Sequence, residues 1–171
     1  MPTTPSGTPV TSRTTQPDAA CGVTQVDPRG PRFGGAITAI LLAAVVVLGP
    51  ESNFALALLL VQTLAFAAGS LIGLRAQPWG IVFRRFVRPR LGPPAEFEDA
   101  RPPRFAQTVG LIFALAGWAG VLFSVPALFY VAVAFALVAA LLNAVFDFCL
   151  GCEVYLIGKR ILGARAAGTA S

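Results

Sequence analysis

No histidine occurs in this chain of 171 residues, and that absence removes a large part of catalytic chemistry. His-ligated zinc or haem, and Ser-His or Cys-His catalysis, cannot be assembled within it. Charge is scarce as well: 12% of residues are Asp, Glu, Lys or Arg against 56% hydrophobic, and mean hydropathy is +0.73. A globular domain with so little charge would be poorly soluble, which argues against a soluble helical bundle. With three cysteines, a Cys₄ metal site cannot be completed in one copy, although two copies each contributing a CxxC could do so. The glycines are scattered through apolar runs and tails, so no phosphate-binding loop is present. The sequence assigns no cofactor and no metal.

What is present is a set of four apolar runs, at about 34–48, 54–74, 107–125 and 127–148. A helix needs about 20 apolar residues to cross about 30 Å of hydrocarbon. The second and fourth runs reach that length; the first and third draw on flanking residues or a thinned bilayer. The expected fold is an all-α membrane protein of four transmembrane helices, paired as two helical hairpins over residues 26–162. Residues 1–25, rich in Thr, Pro, Ser and Gly, are expected to be a disordered tail, and 163–171 a flexible one. The first run lies too far from the N-terminus for a secretory signal, so it is expected to persist as a helix.

The basic residues sort to one side of this pattern. Arg13, Arg29 and Arg32 precede the first run; Arg75, Arg84, Arg85, Arg88, Arg90, Arg101 and Arg104 lie between the second and third; Lys159, Arg160 and Arg165 follow the fourth. The hairpin tips at 49–53 and 124–126 carry none. The positive-inside rule makes the basic side cytoplasmic. The pI of about 9.9 therefore predicts contact with anionic lipid headgroups and not with nucleic acid.

The two halves look duplicated at a spacing of 72 residues. Arg29-Gly30-Pro31-Arg32-Phe33 stands before the first run and Arg101-Pro102-Pro103-Arg104-Phe105 before the third; Leu56 meets Leu128, Val82 meets Val154, Phe83 meets Tyr155 and Arg88 meets Arg160. Each Arg-x-Pro-Arg-Phe element reads as a membrane-entry anchor, with proline in the first helical turn, arginine at the phosphates and phenylalanine in the acyl region. Residues 78–90 alternate apolar and basic side chains at helical spacing. They predict a short interfacial helix anchored by Trp79, Arg84, Arg85 and Arg88, with Trp79, Val82, Phe83 and Phe86 toward lipid. Glu96, Glu98 and Asp99 follow as carboxylates able to pair with nearby arginines. Gln62, Thr63 and Ser70 could hydrogen-bond across the bundle to Asn143.

The chemically informative cluster ends the fourth run: Asn143, Asp147, Cys149, Gly151, Cys152 and Glu153. Two cysteines at this spacing can form a disulfide, hold a soft metal, pass a persulfide or electron pair, or simply pack as small residues. A cytoplasm-facing position disfavours a permanent structural disulfide. If the fourth helix runs to about Leu150, its C-terminal dipole, Glu153 and Asp147 oppose a thiolate; if Gly151 breaks it, Cys152 opens a new helix near free N–H groups. At the 72-residue spacing the first half has Gln77 and Gly80 in these positions, so the dithiol belongs to the second half alone.

The segments 26–33 (Val-Asp-Pro-Arg-Gly-Pro-Arg-Phe), Pro103-Arg104-Phe105-Ala106-Gln107 and Leu142-Asn143-Ala144 leading to Cys149-Leu150-Gly151-Cys152-Glu153 together resemble the bacterial membrane proteins grouped as domain of unknown function 4395. The resemblance spans about residues 24–162. It implies a four-helix integral membrane protein with Cys149, Gly151, Cys152 and Glu153 as its distinctive site. More distantly, CxxC at a helix end resembles membrane thiol-disulfide enzymes that exchange electrons with quinone, although those act mainly on the extracytoplasmic side. The expectation is therefore a multi-pass protein of the bacterial cytoplasmic (inner) membrane with both termini cytoplasmic. Cys149 and Cys152 form its candidate thiol pair, with Glu153 and Asp147 as modulators, and its partner would be a thioredoxin-like protein or a sulfurtransferase. A homo-oligomer is compatible with this reading. The competing expectation is a non-enzymatic scaffold or accessory subunit whose cysteines are structural.

Overall fold

The apolar runs become helices because nothing in them competes with the intrahelical hydrogen bonds, and each run is bracketed by residues that break or cap. In the computed structural model, residues 25–92 and 98–168 are described, with side chains over 26–92 and 99–161. Residues 1–24, which contain Cys21 and nearly all of the expected N-terminal tail, lie outside the described residues, as do Glu96 and the side chain of Glu98.

Among the described residues, four helices are long and apolar enough to cross a membrane: Arg29–Leu48, Asn53–Ile72, Arg101–Leu122 and Pro126–Phe146. The first is α1 (Arg29–Leu48). The second is α2 (Asn53–Ala67), capped by the Ser52 hydroxyl and continued by a π-helical turn, Ala68–Ile72. A basic segment follows as α3 (Pro78–Val82), a π-helical turn (Phe83–Val87) and α4 (Arg88–Leu91). The second half contains α5 (Arg101–Leu122), α6 (Pro126–Phe146) and α7 (Leu150–Gly168). Helix α1 starts before its apolar run because Pro31 fits a first turn, and Pro102 and Pro103 do the same for α5. Helix α7 continues through residues 163–168, so that part of the expected flexible tail is helical.

The bundle closes as a ring, with α1 on α2 and α6, and α5 on α6 and α2. Its core is Leu42, Val45, Leu59, Phe66, Ala114, Phe129, Val133 and Ala136. Small residues on α5 set the spacing: Gly110 lies under the Phe66 ring, Gly117 against Val133 and Gly120 against the Phe129 backbone. The polar side chains of the core find local partners. Gln62, wholly buried, donates to Thr38 Oγ1 at 3.1 Å and accepts from the Trp79 indole at 3.3 Å. Ser70 meets the Thr108 hydroxyl at 2.7 Å, and Trp118 donates to Thr63 at 3.1 Å. These pairings correct the expected bonds to Asn143.

Contacts in the two halves correspond at the same 72-residue spacing. Asp27 Oδ1 accepts the Arg29 N–H at 3.1 Å, and Asp99 Oδ1 accepts the Arg101 N–H at 2.9 Å. The two helix starts are tied by an antiparallel pair of two-residue strands, β1 (Gln25–Val26) and β2 (Glu98–Asp99). Each hairpin's arginine then reaches into the other hairpin: Arg104 Nε donates to the Ser70 carbonyl at 2.9 Å, and Arg32 Nε to the Ala144 carbonyl at 3.3 Å. The ring pair Phe33–Phe83 (5.7 Å, tilted 43°) has its counterpart, 72 residues on, in Phe105–Tyr155 (5.7 Å, 44°). Helices α3 and α7 are therefore corresponding elements.

Candidate thiol site

Asp147 ends α6. It adopts a left-handed conformation (φ 56°, ψ 24°) that a short polar side chain tolerates, and its N–H and that of Phe148 both turn back to the Leu142 carbonyl. Three residues later α7 begins. Cys149 is its cap: the Cys149 carbonyl accepts the Glu153 N–H at 3.0 Å, and its sulfur accepts the Cys152 N–H at 3.3 Å. The break falls at Asp147 and not at Gly151, and Cys149, not Cys152, opens the new helix.

This placement reverses the electrostatic objection raised by a C-terminal site. At a helix N-terminus, unpaired N–H groups and the positive end of the dipole favour a thiolate. The two sulfurs are joined as a disulfide, with Cα atoms 5.1 Å apart, and both residues are half-buried. One helical turn, between the N-cap and the third position of α7, brings the two sulfurs together. Glu153 is exposed in the first turn of α7.

Gly151, between the cysteines, is the point at which α7 touches α5. A Cβ there would stand 2.7 Å from both Cα and Cβ of Ala106, so only glycine admits this approach. Nothing in the sequence pattern flags Ala106; the matched spacing of Phe33/Phe83 and Phe105/Tyr155 was the available signal. On the other flank, Asp147 Oδ2 lies 3.7 Å from Arg32 Nη1, both side chains about half exposed, and Asn143 Nδ2 donates to the Pro31 carbonyl at 3.2 Å. The thiol site thus sits at the same end of the bundle as the start of α1. Among the described residues, no group of three or more His, Cys, Asp or Glu is placed to hold a metal ion.

The residues expected as membrane anchors are largely engaged with the protein. Arg104 also donates to the Leu71 carbonyl at 3.0 Å, and with its bond to Ser70 covers the π-helical end of the second span. Arg84 donates to the Arg75 carbonyl at 2.6 Å and Arg29 to that of Leu91 at 3.4 Å; Arg88 stands 4.0 Å from Asp27. Trp79 is half-buried on Gln62 and Phe83 is buried against Phe33, whereas Val82 and Phe86 remain exposed. Phe105 packs against the Tyr155 ring, and Arg85 and Arg101 are exposed.

Residues 26–160 match the family described as Domain of unknown function (DUF4395). No curated protein and no solved structure matches the chain.

Proposed function

The chain belongs to the DUF4395 family, and because that description names no activity, we propose a function from the site itself. The protein is a bacterial inner-membrane thiol-disulfide exchanger, with its arginine-rich end in the cytoplasm and Cys149 and Cys152 as the reacting pair. The observation that carries this reading is Cys149 as the cap of α7 with Cys152 one turn inside the helix. The distribution of arginine supports the orientation.

In the exchange, a partner thiolate attacks Cys149 Sγ, the intramolecular S–S bond breaks, and Cys152 leaves as a thiolate and takes a proton. The partner's second thiol then loses its proton and attacks the partner sulfur of the mixed disulfide. Cys149 is released as a thiolate that the N-terminus of α7 stabilises, and it too is protonated. Two electrons and two protons have passed from a thioredoxin-like dithiol to the pair. With a sulfurtransferase, reduced Cys149 attacks the outer sulfur of the donor persulfide and frees the donor thiolate. Cys152 then attacks Cys149 Sγ, expels hydrosulfide and re-forms the disulfide. The scaffold reading is favoured by one observation, the Gly151–Ala106 seam, in which the small residues of the motif serve packing.

Labelling separates these readings. In inside-out vesicles treated with mild reductant, Cys149 is expected to alkylate about tenfold faster than Cys152, as a better-stabilised thiolate should. In Cys152→Ser, run in the reverse direction, the Cys149 thiolate is expected to attack the disulfide of an oxidised cytoplasmic partner, release the partner's other sulfur as a thiolate and stay trapped in the mixed disulfide. Inert cysteines would leave the scaffold. Labelling from right-side-out vesicles alone would reverse the topology and favour exchange on the outer side.

A further inference from the structure

The first half has no cysteines at the corresponding place; it has a cavity. About 400 Å³ opens between the start of α1, the turn at Leu74–Arg75 and the α3 segment, within the range of about 300–1,000 Å³ usual for small-ligand sites. Gln77 and Gly80, the counterparts of Cys149 and Cys152, belong to its wall.

Asp27 decides what this cavity can take. Its side chain is 9% exposed, and Oδ1 accepts the Arg29 N–H. Oδ2 is buried and has no hydrogen-bond partner among the described residues. Arg88 Nε lies 4.0 Å away, close enough for charge attraction and too far for a hydrogen bond. A buried carboxylate oxygen in this state requires a donor. Arg75, Arg84 and Arg88 line the same cavity, with Arg84 fixed by its bond to the Arg75 carbonyl. Guanidinium forks suit phosphate. A bare phosphate would meet the arginines but repel Oδ2; a phosphate carrying an ammonium two carbons away answers both. Beside the cavity, Ile81, Val82 and Phe86 are exposed on the α3 segment and offer an apolar surface to acyl chains.

We propose that this cavity binds a phosphoethanolamine group, phosphate against Arg84 and Arg88 and ammonium on Asp27 Oδ2, the form in which it occurs at a membrane surface being phosphatidylethanolamine. The second half lacks the arrangement, since Asp99, the counterpart of Asp27, is exposed. One half of the duplicated fold thus holds lipid and the other carries the thiols.

The test is native mass spectrometry of the detergent-purified full chain, incubated with equal phosphatidylethanolamine, phosphatidylglycerol and phosphatidylcholine. Phosphatidylethanolamine is expected to be retained about tenfold over phosphatidylcholine, which has the charge but no N–H, because a hydrogen bond to a charged group has roughly that effect. Asp27→Asn keeps the acceptor for the Arg29 N–H and is expected to abolish the preference; Arg88→Gln is expected to weaken retention of phosphatidylethanolamine and phosphatidylglycerol alike. Should Asp27→Asn fail to fold, the mono- and dimethylated headgroups read the same donor count in the wild type, with graded loss as hydrogens are removed. Displacement by soluble glycerophosphoethanolamine would identify a free metabolite as the source, and resistance to it the lipid; both support the site. Equal retention of all three lipids, or an unchanged preference in folded Asp27→Asn, overturns it.

Discussion

Gly151 and Gly158 share a helix, yet the surroundings of each give opposite expectations for the same substitution. At Gly151 a methyl group would meet the Ala106 backbone at 2.7 Å, and neither helix can yield without separating. Gly151→Ala is expected to cost about 1–3 kcal/mol, as overpacking of a close seam does. It should also speed alkylation of the reduced cysteines, because α7 would lift from α5. At Gly158 nothing lies within 4 Å, and alanine there removes the helix penalty of glycine. Gly158→Ala is expected to leave stability unchanged or raise it by up to about 1 kcal/mol. Thermal unfolding in detergent, read beside the labelling rate, checks both. Equal effects at the two glycines would remove the seam from the description of the site. The sequence singled out Gly151 through its place between the cysteines, but the reason for a glycine there is a contact with a residue 45 positions earlier, which no local pattern records.

Elements in this fold are joined at their ends by arginine as much as by their apolar faces. The π-helical turn that ends the second span leaves the Ser70 and Leu71 carbonyls without helical donors, and Arg104 supplies both at 2.9 and 3.0 Å. Arg32 makes one longer bond, to Ala144 at 3.3 Å, and an exposed ion pair with Asp147. Arg104→Gln is therefore expected to destabilise by about 1–3 kcal/mol, since charged donors to carbonyls are lost. Arg32→Gln is expected to cost less than about 1 kcal/mol, with part of that difference screened by salt. Melting both variants at low and high ionic strength separates them; a salt-sensitive Arg104 variant would mean that the arginine acts by charge and not by covering the helix end. The four spans were legible because their apolar runs are long and unbroken. The ends were not: Asp147 leaves the helix through a left-handed turn, and the two π-helical turns carry no residue pattern that distinguishes them from α-helix. The cysteine pair was legible as a motif, but its setting at the start of α7 depended on that unreadable turn.

At the scale of the whole molecule, the spans bury little of themselves. Between 22% and 33% of the most apolar window of each helix is covered by the rest of the chain, and Ile40, Val47, Leu64, Ile112 and Phe135 face outward. In water that exposed apolar surface would drive aggregation, whereas hydrocarbon accepts it without cost. The turns that close the hairpins, at 49–52 and 123–125, contain no basic residue, and the opposite end gathers Arg29, Arg32, Arg84, Arg88 and Arg104. With Cys21, Cys149 and Cys152 replaced by serine, Glu51→Cys and Val125→Cys are expected to react with an impermeant maleimide only in right-side-out vesicles. Arg90→Cys, exposed on α4, is expected to react only in inside-out vesicles. The tips share a side because α1 and α5 run the same way, which the crossed contacts of Arg32 and Arg104 require. If Glu51→Cys and Val125→Cys reacted from opposite faces, the hairpins could not be parallel repeats, and the correspondence between the lipid cavity and the thiol site would go with them. If all three positions reacted from the reverse faces, the parallel repeat would stand while the thiol pair moved to the oxidising side, where a stable disulfide needs no partner to explain it.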